Sequence, residues 1–122
     1  MSKSEFEELV GEVLVSLPQE FQEKLDNVVV TVEDWPTLVQ ITKLRIPHGV
    51  TLFGLYEGIP KTQRTNYHFV PPDRITIFQK PIEWFRRDLE SIKAQVRQTV
   101  LHEIGHYFGL SEEKLTKTGG LF

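Results

Sequence analysis

Between Ser91 and Phe108 apolar residues recur at helical intervals (Ile92, Val96, Val100, Leu101, Ile104, Phe108), and the same stretch carries His102-Glu103-Ile104-Gly105-His106. No other feature constrains the fold as tightly. Apolar residues at this spacing form one buried stripe of an amphipathic helix, while polar side chains at i and i+4 stand one above the other on one face. The segment therefore reads as a buried helix that presents His102 and His106 together, with Glu103 beside them.

Two imidazoles with a neighbouring carboxylate at this spacing point to metal-assisted hydrolysis. Zinc takes neutral imidazole nitrogen and carboxylate oxygen at about 2.0–2.2 Å, and a catalytic site keeps one position for water. In this pattern the glutamate inside the motif is the general base. A third protein ligand is required, and the chain continues with Gly109 and Glu112, the last in the place where the longer His-Glu-x-x-His-x-x-Gly-x-x-His pattern puts its final ligand. Gly109 suits a left-handed helix end that returns the chain to the metal. Glu112 is thus the expected third ligand and Glu113 its nearest substitute, although Ser111 also reads as the N-cap of a short final helix in which an acidic first turn needs no metal. Only sixteen residues follow His106, fewer than a glutamate on a distant downstream helix needs. His48, His68 and Asp73 are the upstream alternatives; each reads first as an ordinary loop residue.

The 122 residues suit one domain, spanning 1–122, large enough to bury roughly two thirds of its unfolded surface. With 14 basic and 17 acidic residues interspersed and a net charge of -3, there is no basic face for nucleic acid and no polybasic patch for a membrane. Cysteine is absent, so thiolate ligands and disulfides are excluded and zinc must be held by His and carboxylate. The amino terminus, Met1-Ser2-Lys3-Ser4-Glu5-Phe6-Glu7-Glu8, lacks the basic start and apolar core of a signal peptide, and no apolar stretch approaches the roughly eighteen residues of a membrane span. A cytoplasmic, monomeric protein is expected.

Upstream of the motif, Ser4 and Glu7 offer a capping box for a helix burying Phe6, Leu9, Val10, Val13, Leu14 and Leu17. A short second helix is expected over 18–25. Val28–Val32 is a β-branched run expected as a buried strand. Residues 37–46 lean to helix. Strands are expected over Thr51–Tyr56 and over Arg74–Gln79, the latter flanked by prolines and so placed at or near a sheet edge; such an edge would let an extended peptide add itself through main-chain hydrogen bonds. Between them lies a polar loop carrying Arg64, Tyr67 and His68. Pro81–Arg87 suggests a short helix with Trp84 and Phe85 in the core. These elements make an α+β fold.

Taken together, Leu55-Tyr56-Glu57-Gly58, Pro72-Asp73-Arg74-Ile75-Thr76 and His102-Glu103-Ile104-Gly105-His106-Tyr107-Phe108-Gly109 give the chain, over most of its length, a form that resembles the small bacterial minimal zincins, a family of metallopeptidases. The resemblance implies a zincin-like core: a small mixed sheet packs on the motif helix, and an edge strand borders a metal cleft. The wider metzincin clan differs in two respects. Its last ligand is histidine or aspartate where this chain has Glu112, and a methionine follows its motif, whereas Met1 is the only methionine here. The chain reads as a cut-down relative of that clan.

The expected activity is zinc-dependent hydrolysis of peptide bonds in a peptide or protein substrate, with a metal-activated water, Glu103 as general base, and His102, His106 and Glu112 as ligands. Tyr107, Tyr67 and His68 are candidates for stabilising the oxyanion. Two other classes compete: a catalytically inactive zincin-like domain that binds metal or a partner peptide, and a metal-free structural domain.

Overall fold

The computed structural model describes residues 1–43, 52–58 and 72–107, with the side chains of 43, 106 and 107 outside that description. Its elements are helix α1 (Lys3–Val15), α2 (Gln19–Lys24), strand β1 (Val28–Glu33), α3 (Leu38–Lys43), β2 (Gly54–Glu57), β3 (Asp73–Phe78), α4 (Gln79–Phe85) and α5 (Leu89–Tyr107). The sheet order is β1-β3-β2, with β1 parallel and β2 antiparallel to β3. This is the α+β arrangement expected from the sequence, with a mixed sheet packed on the motif helix.

One sheet face carries Ile75 and Ile77 of β3 and Val32 of β1, which join Phe6, Leu9, Val10 and Val13 of α1 and Val96, Val100, Leu101 and Ile104 of α5 in the main core. Leu52, Leu55 and Phe78 form a smaller cluster, to which Leu55 and Phe78 contribute from the opposite face, because side chains alternate along a strand. Val96, Val100, Leu101 and Ile104 are all fully buried, and burying each such side chain contributes about 1.5–3 kcal/mol. Helix α5 is thus fixed to the sheet along its apolar stripe.

Several local expectations are corrected. The capping box of α1 is Ser2 with Glu5, each side chain bonded to the other's backbone N–H; the same Ser-x-x-Glu spacing at Ser4 and Glu7 falls inside the first turn. Strand β3 is the central strand of the three. Its flanking Pro72 and Pro81 lie outside the strand, where no ladder N–H is required, so they do not mark an edge. Among the described strands β1 is an outer one instead, and Val29 is 43% exposed. Trp84 and Phe85 are also mostly exposed, at 68% and 55%; α4 is only seven residues long and buries Gln79, Pro81 and Ile82, while Phe85 meets Phe53 edge-on at 5.8 Å.

Helix α3 forms where the sequence leaned to helix, opened by reciprocal Thr37 and Gln40 hydrogen bonds, and leaves Leu38 and Val39 exposed. Strand β2 starts three residues later than expected, and Thr51 lies outside the described residues. So does the polar loop with Arg64, Tyr67 and His68. No described helix is long and apolar enough to cross a membrane.

Candidate active site on the motif helix

Helix α5 begins at a defined point. The Asp88 carboxylate accepts from the Ser91 backbone N–H at 3.2 Å and from its hydroxyl at 2.8 Å, an N-cap arrangement. The side-chain and backbone hydrogen bonds from Ser91 hold the Asp88 carboxyl below its ordinary pKa. Further along, the Arg86 guanidinium donates to Gln95 Oε1 at 3.0 and 3.3 Å, and Gln95 Nε2 donates to Thr99 Oγ1 at 3.1 Å. Gln95 and Thr99 are 2% and 0% exposed. Buried polar groups are tolerable only with such partners, so this chain fixes the rotation of α5 just before the motif.

Gly54 sets how closely helix and sheet approach. A Cβ at Gly54 would stand 2.4 Å from Thr99 Cγ2 and 3.2 Å from the Thr76 carbonyl oxygen, so only glycine fits. Two residues on, the Tyr56 N–H donates to Glu103 Oε1 at 3.1 Å. Two strand residues advance about 6.6 Å and four helical residues about 6 Å. Strand β2 and helix α5 therefore run side by side in the same direction, with Gly54 facing Thr99 and Tyr56 facing Glu103.

The strand register explains why a backbone donor is available there. Phe78 N–H bonds the Phe53 carbonyl at 2.9 Å, and with Gly54 opposite Ile77 and Leu55 opposite Thr76 the paired positions alternate along the ladder. Leu55 and Glu57 thus turn their backbone groups towards β3, while Tyr56 turns its N–H away from it. That N–H meets the carboxylate of Glu103, which is 8% exposed. The Tyr56 hydroxyl in turn donates to Asp73 Oδ2 at 2.8 Å, and Asp73 is 6% exposed.

Of the residues singled out in the sequence, His102 and Glu103 sit together on α5 against β2, with His102 only 3% exposed. His106 follows one turn later on the same continuous helix. Gly109, Glu112, Glu113, His48 and His68 lie outside the described residues, as do the side chains of His106 and Tyr107. Among the described residues no three His, Cys, Asp or Glu side chains form a group able to hold a metal ion. Asp73 is not the loop residue expected; it opens the central strand. The Tyr56 contacts were missed, although Tyr56 in Leu55-Tyr56-Glu57-Gly58 and Asp73 ahead of an apolar strand were both visible as polar groups beside buried positions.

A small mixed sheet in which β2, an outer one of the described strands, bonds the glutamate of a helical His-Glu-x-x-His motif defines a zincin-type α+β protein. Residues 25–120 match the family described as zincin-like metallopeptidase, and the chain belongs to it. Among solved structures, a conserved hypothetical protein from T. thermophilus is similar in fold, with a TM-score of 0.55 at 22% identity, covering 95% of this chain and 98% of that one. Comparison with curated proteins gives no match.

Proposed function

We propose that the protein is a zinc-dependent metallopeptidase in which Glu103 is the general base. The observation that carries this reading is the Glu103 carboxylate, held at 3.1 Å by an outward-facing N–H of β2 beside the buried His102. Family membership supports peptidase chemistry at the level of the family.

The donor set suits zinc. His102 and His106 are four residues apart on one helix, the spacing at which residues share a face, and Glu112 is the carboxylate that the sequence offers as the third ligand. A His-His-Glu set with one open position matches catalytic zinc. When bound, zinc supplies Lewis acidity that makes water a nucleophile near neutral pH and polarises the scissile carbonyl.

The protein's own groups do the rest. Glu103 takes the proton from the attacking water and delivers it to the departing amine, so one carboxylate serves both steps. The Tyr56 N–H fixes one oxygen of that carboxylate and leaves its rotation little freedom. The apolar core beneath Ile104 and Leu101 keeps solvent from the inner side of the helix.

Elemental analysis of untagged protein, together with hydrolysis of a quenched fluorescent peptide library by wild type and Glu103→Gln, tests the reading. One zinc per chain and a rate reduced by about 10²–10⁴-fold in the variant are expected. Equal turnover in Glu103→Gln would falsify the role of the base.

A further inference from the structure

The Tyr56 N–H that holds Glu103 sits close to the end of its strand. Strand β2 has four residues, and its pairing with β3 ends at Glu57 opposite Arg74, one residue beyond the pair of Tyr56 and Ile75. The ends of elements open at low cost in free energy, so a donor in this place needs a further hold if it is to keep one direction. Asp73 supplies that hold. It stands two residues before Ile75 on β3, which makes it a diagonal neighbour of Tyr56 on the same sheet face, within reach of an aromatic side chain. The Tyr56 hydroxyl donates to Asp73 Oδ2 at 2.8 Å, and the Asp73 backbone N–H donates to the Asn27 carbonyl at 3.1 Å. Between its two ends the Tyr56 ring lies against the main core. Bonds therefore run in series from Asn27, just ahead of β1, through Asp73 of the strand paired on both sides to Tyr56 of β2, and from the Tyr56 N–H to Glu103 of α5 at 3.1 Å.

We propose that Asp73 is a positioning residue for Glu103: by holding the Tyr56 hydroxyl it fixes the end of β2, and with it the direction of the N–H that orients the Glu103 carboxylate. This rests on the reading of Glu103 as the base. Tyrosine has only two side-chain torsions, so a ring held at its hydroxyl and along its faces transmits that hold to its own backbone. A carboxylate at 6% exposure is costly to bury unless it is hydrogen-bonded, and this one is buried where its bond ties the paired core of the sheet to the strand that touches α5. The effect on the reaction follows from distance: a displacement of about 1 Å in a reacting group can slow a reaction about 10²-fold.

The test compares wild type with Tyr56→Phe, Asp73→Ala, Asp73→Asn and the double variant Tyr56→Phe/Asp73→Ala. In metal-free protein, native-state hydrogen exchange reads the backbone amide at position 56 against the amides of β3; with zinc added, peptide hydrolysis gives kcat and KM. Tyr56→Phe and Asp73→Ala should each speed exchange at position 56 by about 2–10-fold relative to β3, as expected for the loss of one hydrogen bond. Each should also lower kcat by about 10-fold or more at unchanged KM. Asp73→Asn keeps an oxygen for the phenol and should restore most of what Asp73→Ala loses. Because the two residues act on Glu103 in one line, the double variant should do no worse than the worse single one. Exchange at position 56 and kcat both unchanged in Tyr56→Phe, with only stability in urea reduced, would make the pair a structural tie and overturn the proposal. Additive losses in the double variant, or Asp73→Asn as impaired as Asp73→Ala, would overturn it equally. If Asp73→Ala does not fold, Tyr56→Phe carries the decision. Wild type without peptidase turnover would sink the functional reading, whereas the exchange measurement would still decide whether Asp73 holds the Glu103 contact.

Discussion

Replacing Gly54 by alanine tests the geometry on which the whole site rests. The added methyl would stand 2.4 Å from Thr99 Cγ2 and 3.2 Å from the Thr76 carbonyl, against a carbon–carbon optimum of about 3.5–4.0 Å. The overlap with Thr99 is thus about 1.1 Å, too large for side-chain adjustment alone. Thr99 is fully buried, and rotating it would break its hydrogen bond from Gln95, a loss of about 0.5–1.5 kcal/mol. Overpacking of this kind costs about 1–3 kcal/mol, while alanine stiffens the unfolded chain and returns about 0.4–1 kcal/mol. The net expectation is a loss of about 1–2 kcal/mol, or roughly 4–8 °C in Tm for a chain of this size. Thr99→Ser removes the offending methyl and keeps the hydroxyl. In the double variant the two changes should therefore couple favourably by at least about 0.5 kcal/mol in urea unfolding. The Tyr56 amide resonance should move in Gly54→Ala, since Glu103 rides on the same helix one turn on. Gly54→Ala as stable as wild type, or a double variant showing no coupling, would refute the close approach of β2 and α5.

Three further outcomes are expected. Ile104→Ala, at a fully buried position between the two motif histidines, should lose about 2–5 kcal/mol in urea unfolding, whereas Trp84→Ser on the exposed face of α4 should stay within about 0.5 kcal/mol of wild type. Asp88 has its folded pKa lowered by Ser91, so its contribution is present above the unfolded-state pKa and is lost as pH falls through the lower folded value. The stability advantage of wild type over Asp88→Asn should accordingly be seen at neutral pH and vanish in acid; an advantage that grows on acidification would contradict that sign. Zinc at 100 times its dissociation constant should raise unfolding stability by about 2.7 kcal/mol, chelator should reverse the rise, and both His106→Ala and Glu112→Ala should abolish it in differential scanning calorimetry.

What could be read from the sequence was what local periodicity encodes. The apolar spacing through Ile92, Val96, Val100 and Ile104 marks both the motif helix and its buried face, and the four-residue interval of the histidines needs no tertiary knowledge. Strand order is a non-local property, and there the reading failed. Prolines beside β3 were consistent with an edge but in fact only bracket the central one of the described strands, and of the β1 valines Val32 is buried while Val29 is exposed. Trp84 and Phe85 misled for a related reason: aromatic size favours burial on average, yet a seven-residue helix had its inward positions filled by Pro81 and Ile82. Tyr56 was visible only as a polar group beside buried positions; its bond to Glu103 depends on which way a backbone N–H points, and that follows from register with β3.

An outer strand that turns bare N–H groups outward invites pairing with another chain, and proteins blunt such edges in several ways. β2 is an outer strand among those described and its Tyr56 N–H is taken by Glu103, so the group assigned to chemistry also acts as a stopper on that margin. Sequence change at Glu103 would then have two separable effects: loss of the proposed base, and a margin more open to edge-to-edge association. A preparation of Glu103→Ala that self-associates more readily than Glu103→Gln, which still offers an oxygen to that N–H, would show a colloidal role for a residue otherwise thought of only as a proton carrier.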